Sequence, residues 1–195
     1  MESNIGKWAE RYRNQVNSKP YGDNTTYIKG AEFLQHLSFV EDWGCGTSWF
    51  RNFIPVGRYR GIDGSHSKFV DKVIDLTKYR SEVQGLFIRH VLEHNESWKT
   101  ILSNALTSFT ERMVLVLFTP FSQTTTVLAR YEIPGSPGMF VPDISFSKDD
   151  ILAQLSVYSW RLEENIPTDT EYGVEHVFYI DNATPKINDP MEMGN

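Results

Sequence analysis

Apolar residues recur along this chain in two rhythms. Near the N-terminus Ile5, Trp8, Ala9, Tyr12 and Val16 fall at helical spacing with charges between them, which predicts a short amphipathic helix over 5–16. Ile28, Ala31 and Leu34 line one face of a second helix over 27–36, and the stretch 18–26, with Pro20, Gly22, Asp23 and Asn24, reads as the loop between them. Compact β-type runs follow at 38–43, 59–63, 72–75, 85–90 and 112–118, the last (RMVLVLF) being the strongest. Helical segments are expected between them at 47–53, 65–70 and 97–109. Strand and helix in alternation predict right-handed crossovers and an α/β fold, a parallel sheet wound on both faces. Past Thr119 the rhythm is lost, and the Pro- and Gly-bearing segment 121–146 reads as a long insertion or lid. Ser147 is placed to cap a helix that starts with Asp149 and Asp150 and buries Ile151, Leu152 and Leu155. Strands at 159–163 and 174–180 close the pattern, with a turn near 167–172.

With 195 residues, 40% hydrophobic and 13% aromatic, the chain can close one sizeable core. The expected organisation is a single domain: an N-terminal helical cap (1–36), a core (37–119), the insertion or lid (120–146), a C-terminal helix with two strands (147–181) and a polar tail (182–195). The balance of 19 basic against 25 acidic side chains, a net charge of −6, argues against a general affinity for nucleic acid. No apolar run is long enough to span a membrane, and the N-terminus lacks the apolar core of a secretion signal. Cys45, the single cysteine, can form neither an intrachain disulfide nor a cysteine zinc cluster; it suits a reducing, cytoplasmic setting.

The chemistry concentrates around Gly44-Cys45-Gly46, the turn after the first predicted strand. In an open α/β sheet the ligand lies at the carboxyl ends of the strands, above the first strand-to-helix turn. Two glycines there let a ligand approach the backbone, and a helix starting near Thr47 favours an anionic group. Asp63 ends the next strand, where a carboxylate can accept both hydrogen bonds of a ribose diol, and Asp75 ends the one after, placed to receive an adenine amine. With Asp42, three acidic strand ends and two glycines in this order point to an adenosine-type ligand. A dinucleotide would want a third glycine where Trp49 stands, and a triphosphate would want a Gly-Lys-Ser/Thr ending that is missing. A ribose and adenine without phosphate fit better.

The stretch Val40-Glu41-Asp42-Trp43-Gly44-Cys45-Gly46-Thr47-Ser48 resembles the first motif of the class I S-adenosylmethionine-dependent methyltransferases. Gly61-Ile62-Asp63-Gly64-Ser65 is similar to that family's ribose motif, Ile74-Asp75-Leu76 to its adenine segment, and Arg89-His90-Val91-Leu92-Glu93-His94 to the stretch ending its fourth strand. The likeness covers about 20–120, with Ser48 where many members carry the third glycine. It implies a doubly wound, mostly parallel seven-stranded sheet with helices on both faces and an antiparallel last strand. It implies S-adenosyl-L-methionine as cofactor, with Gly44, Cys45 and Gly46 at the methionine part, Asp42 orienting the loop or amino group, Asp63, Gly64 and Ser65 at the ribose, and Asp75 and Leu76 at the adenine. Arg89 and His90 would lie beside the sulfonium, and Tyr21 and Thr26 would belong to a segment folding over the methionine end.

An oxygen or nitrogen acceptor must lose a proton, which calls for a base near neutrality. His90 and His94 are the candidates, with His66 more remote. Their HVLEH pattern is not the HExxH of a zinc site, and no metal is expected. The competing role for His90 is to line the cofactor edge, and for His94 to make a structural hydrogen bond. Phe121, Tyr131, Met139 and Phe140 could wall the acceptor pocket, and Arg130 could pair an anionic group on it. The expected reaction is methyl transfer to a small molecule, on an oxygen of a sugar or other metabolite. The competing expectation is a catalytically silent module that keeps the fold and binds the cofactor.

Overall fold

The computed structural model describes residues 5–13 and 15–182. Seven strands form one sheet: β1 (Val40–Trp43), β2 (Tyr59–Asp63), β3 (Lys72–Val73), β4 (Val83–Arg89), β5 (Phe109–Leu117), β8 (Ser159–Pro167) and β9 (Val174–Asp181), in the order β3-β2-β1-β4-β5-β9-β8. The pairs from β3 to β5 are all parallel, and β9 enters antiparallel between β5 and β8. β6 (Thr126–Glu132) and β7 (Phe140–Ser145) make a separate antiparallel hairpin.

Apolar residues on both sides of the strands explain why helices cover both faces. Along β5, Met113, Leu115 and Leu117 face the core under α3 (Trp98–Leu106) and α4 (Lys148–Gln154), where Ile101, Leu102, Ile151 and Leu155 are buried. The alternate residues Val114 and Val116 face α2 (Thr25–Leu34), with Ala31, Leu34, Phe50 and Phe87. Phe50 stacks on Phe87 at 3.7 Å between centroids, and burial of a ring of this size contributes about 1.5–3 kcal/mol. Gly30 lets α2 settle on this pair, because a Cβ there would stand 2.5 Å from Phe87 Cε2.

The expected sheet is present, and several local expectations are corrected. The segment 65–70 is turn rather than helix: Ser67 Oγ accepts the Phe69 amide, and the Val70 amide closes on the Ser67 carbonyl. After β1 there is only a 3-10 segment, Trp49–Phe53, because Ser48 enters it in the left-handed region (φ 54°). β3 stops at Val73, so Asp75 follows the strand instead of ending it. The N-terminal helix is shorter than expected, α1 (Ala9–Arg13), and Ser147 precedes α4 without a side-chain cap. Within the expected insertion 121–146, β6 and β7 pair as a hairpin outside the main sheet, so this stretch is more regular than its sequence suggests. Apart from Asn182, the expected polar tail lies outside the described residues. No described helix is long and apolar enough to cross a membrane.

Candidate active site

The parallel register sets Trp43 beside Ile62 and Ile88, so the carboxyl ends of β1, β2 and β4 come together. The turn after β1 runs through Gly44 (φ 72°) and Gly46 (φ 54°), a region that disfavours side chains. A Cβ on Gly44 would meet Val91 Cγ2 at 2.2 Å. The Gly44 and Cys45 amides both reach the Ile62 carbonyl, at 2.7 and 3.1 Å. Ser48 takes the left-handed conformation that the third glycine of the motif would adopt freely, and its hydroxyl donates to the Phe69 carbonyl at 2.7 Å. Gly61 makes room beneath this turn: a Cβ there would lie 2.9 Å from Cys45 Sγ. Burial, with Asp42 and Asp63 nearby, pushes the Cys45 thiol well up, which keeps it protonated and packed.

Asp63 ends β2 against this turn. Its Oδ2 accepts the Gly46 amide at 2.9 Å and its Oδ1 the Ser65 amide at 2.7 Å. Burial raises its pKa to about 6, against the pull of those amides. Asp42 accepts from Tyr59 Oη at 2.7 Å, and burial raises it to about 7. Neither carboxyl forms an ion pair with a cationic side chain among the described residues. Asp75 closes its own turn, accepting from the Thr77 amide and hydroxyl, and Leu76 is buried in the core.

The N-terminal segment lies across these loops. The Gly6 amide reaches the Gly64 carbonyl at 2.8 Å, the Trp8 amide reaches Ser65 Oγ at 2.8 Å, and Ser18 Oγ donates to the Thr47 carbonyl at 2.6 Å. Tyr12 Oη would stand 3.3 Å from a Cβ on Gly46. Sequence periodicity gave Tyr12 only as part of an apolar helix face.

Arg89 is bound at every guanidinium nitrogen. Nε donates to Thr26 Oγ1 (3.0 Å), Nη1 to Tyr27 Oη (3.0 Å), and Nη2 to the Tyr21 carbonyl (2.9 Å) and Glu175 Oε1 (2.6 Å). It therefore ties α2 and the Tyr21 backbone to β4 and β9. His90 follows with left-handed backbone (φ 57°), and its Nε2 also bonds Glu175 Oε1. Burial opposes the Glu175 carboxylate, but the bond from His90 and the charge of Arg89 hold its pKa below the ordinary range. Burial and the Arg89 charge lower His90 to about 3, so its ring is neutral. The ring then donates through Nε2, and the buried Nδ1 has no hydrogen-bond partner.

His94 sits in a 3-10 turn, Leu92–His94, and shares the Phe118 ring with His90, at 5.3 and 4.7 Å between centroids. Tyr21, Trp8, Tyr131 and Tyr172 complete this aromatic cluster. Of the four residues expected to wall an acceptor pocket, Tyr131 joins this cluster, Phe121 packs on His176, and Met139 and Phe140 are exposed, while Arg130 pairs with the exposed Glu96 at 2.6 Å.

No protein-family model matches the chain, and no curated protein matches it in sequence. Solved structures do. N-methyltransferase NodS from Bradyrhizobium japonicum WM9, in complex with S-adenosylhomocysteine, superposes with a TM-score of 0.61 over 92% of this chain and 99% of its own, at 9% identity. The 1,6-didemethyltoxoflavin-N1-methyltransferase of Burkholderia thailandensis gives 0.60 over 80% and 77%, at 12% identity. Magnesium protoporphyrin IX methyltransferase from Synechocystis PCC 6803, with bound SAM, gives 0.57 over 81% and 78%, at 14% identity. The chain has the class I methyltransferase fold. In this fold the described cluster lies at the carboxyl ends of the parallel strands, where an open α/β sheet receives its ligand. Sequence reasoning missed two residues of that cluster, Glu175 and Asp143. The available signal for Glu175 was an acidic residue at the start of the largely apolar strand β9, since a fully buried acid needs a partner.

Proposed function

We propose that the protein is an S-adenosyl-L-methionine-dependent methyltransferase acting on an oxygen of a small-molecule acceptor. The observation that carries this reading is the pair of buried carboxyls, Asp42 and Asp63, set at a two-glycine turn and, among the described residues, in no ion pair with a cationic side chain. Such a site suits a ligand that brings hydroxyl donors and positive charge. Asp63 keeps lone pairs for a ribose diol beside its two amide bonds. Gly64 and Ser65 flank it, Gly44, Cys45 and Gly46 hold the methionine part, and Asp75 with Leu76 takes the adenine. Glycine at 44 lets the turn pack directly on Val91, where a Cβ would stand 2.2 Å from Cγ2, and so keeps the turn at the strand ends where a ligand is received.

The cofactor supplies a methyl group already activated on a sulfonium, so the chain's tasks are alignment and exclusion of water. Tyr21 and Thr26 are fixed by Arg89 next to His90. The segment around Trp8 and Tyr12 closes the ligand loops from above. The acidic net charge and the aromatic cluster favour a small acceptor over nucleic acid, in a cytoplasmic setting.

Calorimetry with S-adenosylhomocysteine and with NAD tests the reading, binding of the former alone being expected. Tight NAD binding with no response to S-adenosylhomocysteine would refute it. Asp63→Ala is expected to weaken S-adenosylhomocysteine binding by about 1.5–3 kcal/mol, the cost of a lost charge-assisted hydrogen bond. Unchanged affinity would remove Asp63 from the ribose site.

A further inference from the structure

We infer that His94 takes the acceptor's proton and that Asp143, on the β6–β7 hairpin, is its positioning residue; the inference rests on the methyltransferase reading. His94 Nδ1 hydrogen-bonds the Pro142 carbonyl oxygen at 3.1 Å, has Tyr131 Oη at 3.4 Å, and lies 3.2 Å from Asp143 Oδ1, a charge contact without a hydrogen bond. A carbonyl only accepts, so Nδ1 carries the ring proton and Nε2 keeps its lone pair. Nε2 has no hydrogen-bond partner among the described residues, and the side chain is 14% exposed. The ring is bordered by Trp8, Phe118 and Tyr131, from three different segments.

Asp143 is buried and is itself held by Tyr172, whose hydroxyl donates to Oδ2 at 3.0 Å. The Pro142 carbonyl holds the Nδ1 proton, and the Asp143 carboxylate beside it favours that tautomer and stabilises the imidazolium that forms through its charge. His90 is built the opposite way, with Nε2 committed to Glu175 and Nδ1 enclosed. The titratable and charged groups around His94 are His90 and Glu93 on its own segment, Asp143 and Tyr131 on the hairpin, Tyr172 before β9, and Arg11 over the Trp8 ring. In the transfer, the acceptor oxygen bonds the methyl carbon while the carbon–sulfur pair stays on sulfur. The acceptor's proton passes to His94 Nε2, and the new positive charge rests beside Asp143.

Imidazole nitrogen NMR on the full-length protein tests the arrangement, with His94→Gln to assign the signal. Wild type is expected as the Nδ1–H tautomer. Asp143→Asn is expected to give a mixture, because the amide can donate to Nδ1, and Asp143→Glu to restore the single form. An Nε2–H tautomer in wild type overturns the inference even if the variants misfold, as does an Asp143→Asn spectrum identical to wild type. S-adenosylhomocysteine release from S-adenosylmethionine is then followed with phenol, catechol and glucose as probe acceptors. His94→Gln should lower kcat by about a hundredfold or more, with the KM for S-adenosylmethionine unchanged. No release with any probe in wild type, or undiminished release in His94→Gln, overturns the role. Calorimetry with S-adenosylhomocysteine on the same samples separates the failures: absent binding refutes the methyltransferase reading, whereas normal binding with the wrong tautomer refutes only the role of His94.

Discussion

Asp42→Asn should make the protein more stable at high pH while weakening its ligand site. Asp42 titrates at about 7 in the fold against 3.8 ordinarily, chiefly through burial. The folded value lies above the unfolded one, so the proton stabilises the fold. That contribution is complete below pH 3.8 and is lost as the pH rises through 7, beyond which the penalty is constant. The penalty amounts to about 4 kcal/mol at pH 8 and about 1.5 kcal/mol at pH 5. Asparagine can still accept from Tyr59 Oη and carries no charge. Any cost of leaving its NH2 without partners does not vary with pH. Urea unfolding of both proteins at pH 5 and pH 8 should therefore show the difference moving in favour of the variant by about 2–3 kcal/mol. Calorimetry at pH 8 should show weaker S-adenosylhomocysteine binding by the more stable protein. A stability difference that is the same at both pH values within about 0.5 kcal/mol would refute the assignment of a buried, uncompensated charge to Asp42.

Glu175→Gln leaves the Arg89 guanidinium buried without its counter-charge and should destabilise the fold by about 3–5 kcal/mol in urea unfolding; a loss below about 1 kcal/mol would show that the pair is not structural. Gly44→Ala combines left-handed strain with a 2.2 Å contact to Val91 and should cost about 2–4 kcal/mol, whereas Gly57→Ala (φ 85°, nothing within 4 Å) should cost only about 1–2 kcal/mol. Adding Val91→Ala should not deepen the Gly44→Ala loss by the full cost of the Val91 truncation, because it relieves the contact; simple additivity of the two measured losses would refute the steric account.

Where burial on both faces gives a strand a continuous apolar run, the sequence shows it, as in residues 86–88 of β4 and 113–117 of β5. The hairpin was hidden for the opposite reason. β6 is exposed along nearly all its length, so it carries no alternation, and β7 contains Pro142, which argues against a strand unless it lies at an edge. The segment 65–70 forms a turn in place of a helix because Ser67 bonds locally to the backbone. Asp75 fell outside its strand because β3 pairs with β2 through only two residues.

The sequence alone determined the order of the parallel strands' chemistry: a two-glycine turn, then Asp63, then the His90–His94 stretch, each read from local residue types within its own segment. Their meeting required only the right-handed crossovers that follow from chain chirality. Tertiary structure decided which side chains are bound to which. Arg89 and Glu175 are 86 residues apart, and they meet because β9 inserts antiparallel beside β5. His94 meets Asp143 because the hairpin folds back over the turn after β4. Charge pairing and tautomer choice act over a few ångströms. They are therefore set by the packing of distant segments, which local sequence patterns do not encode.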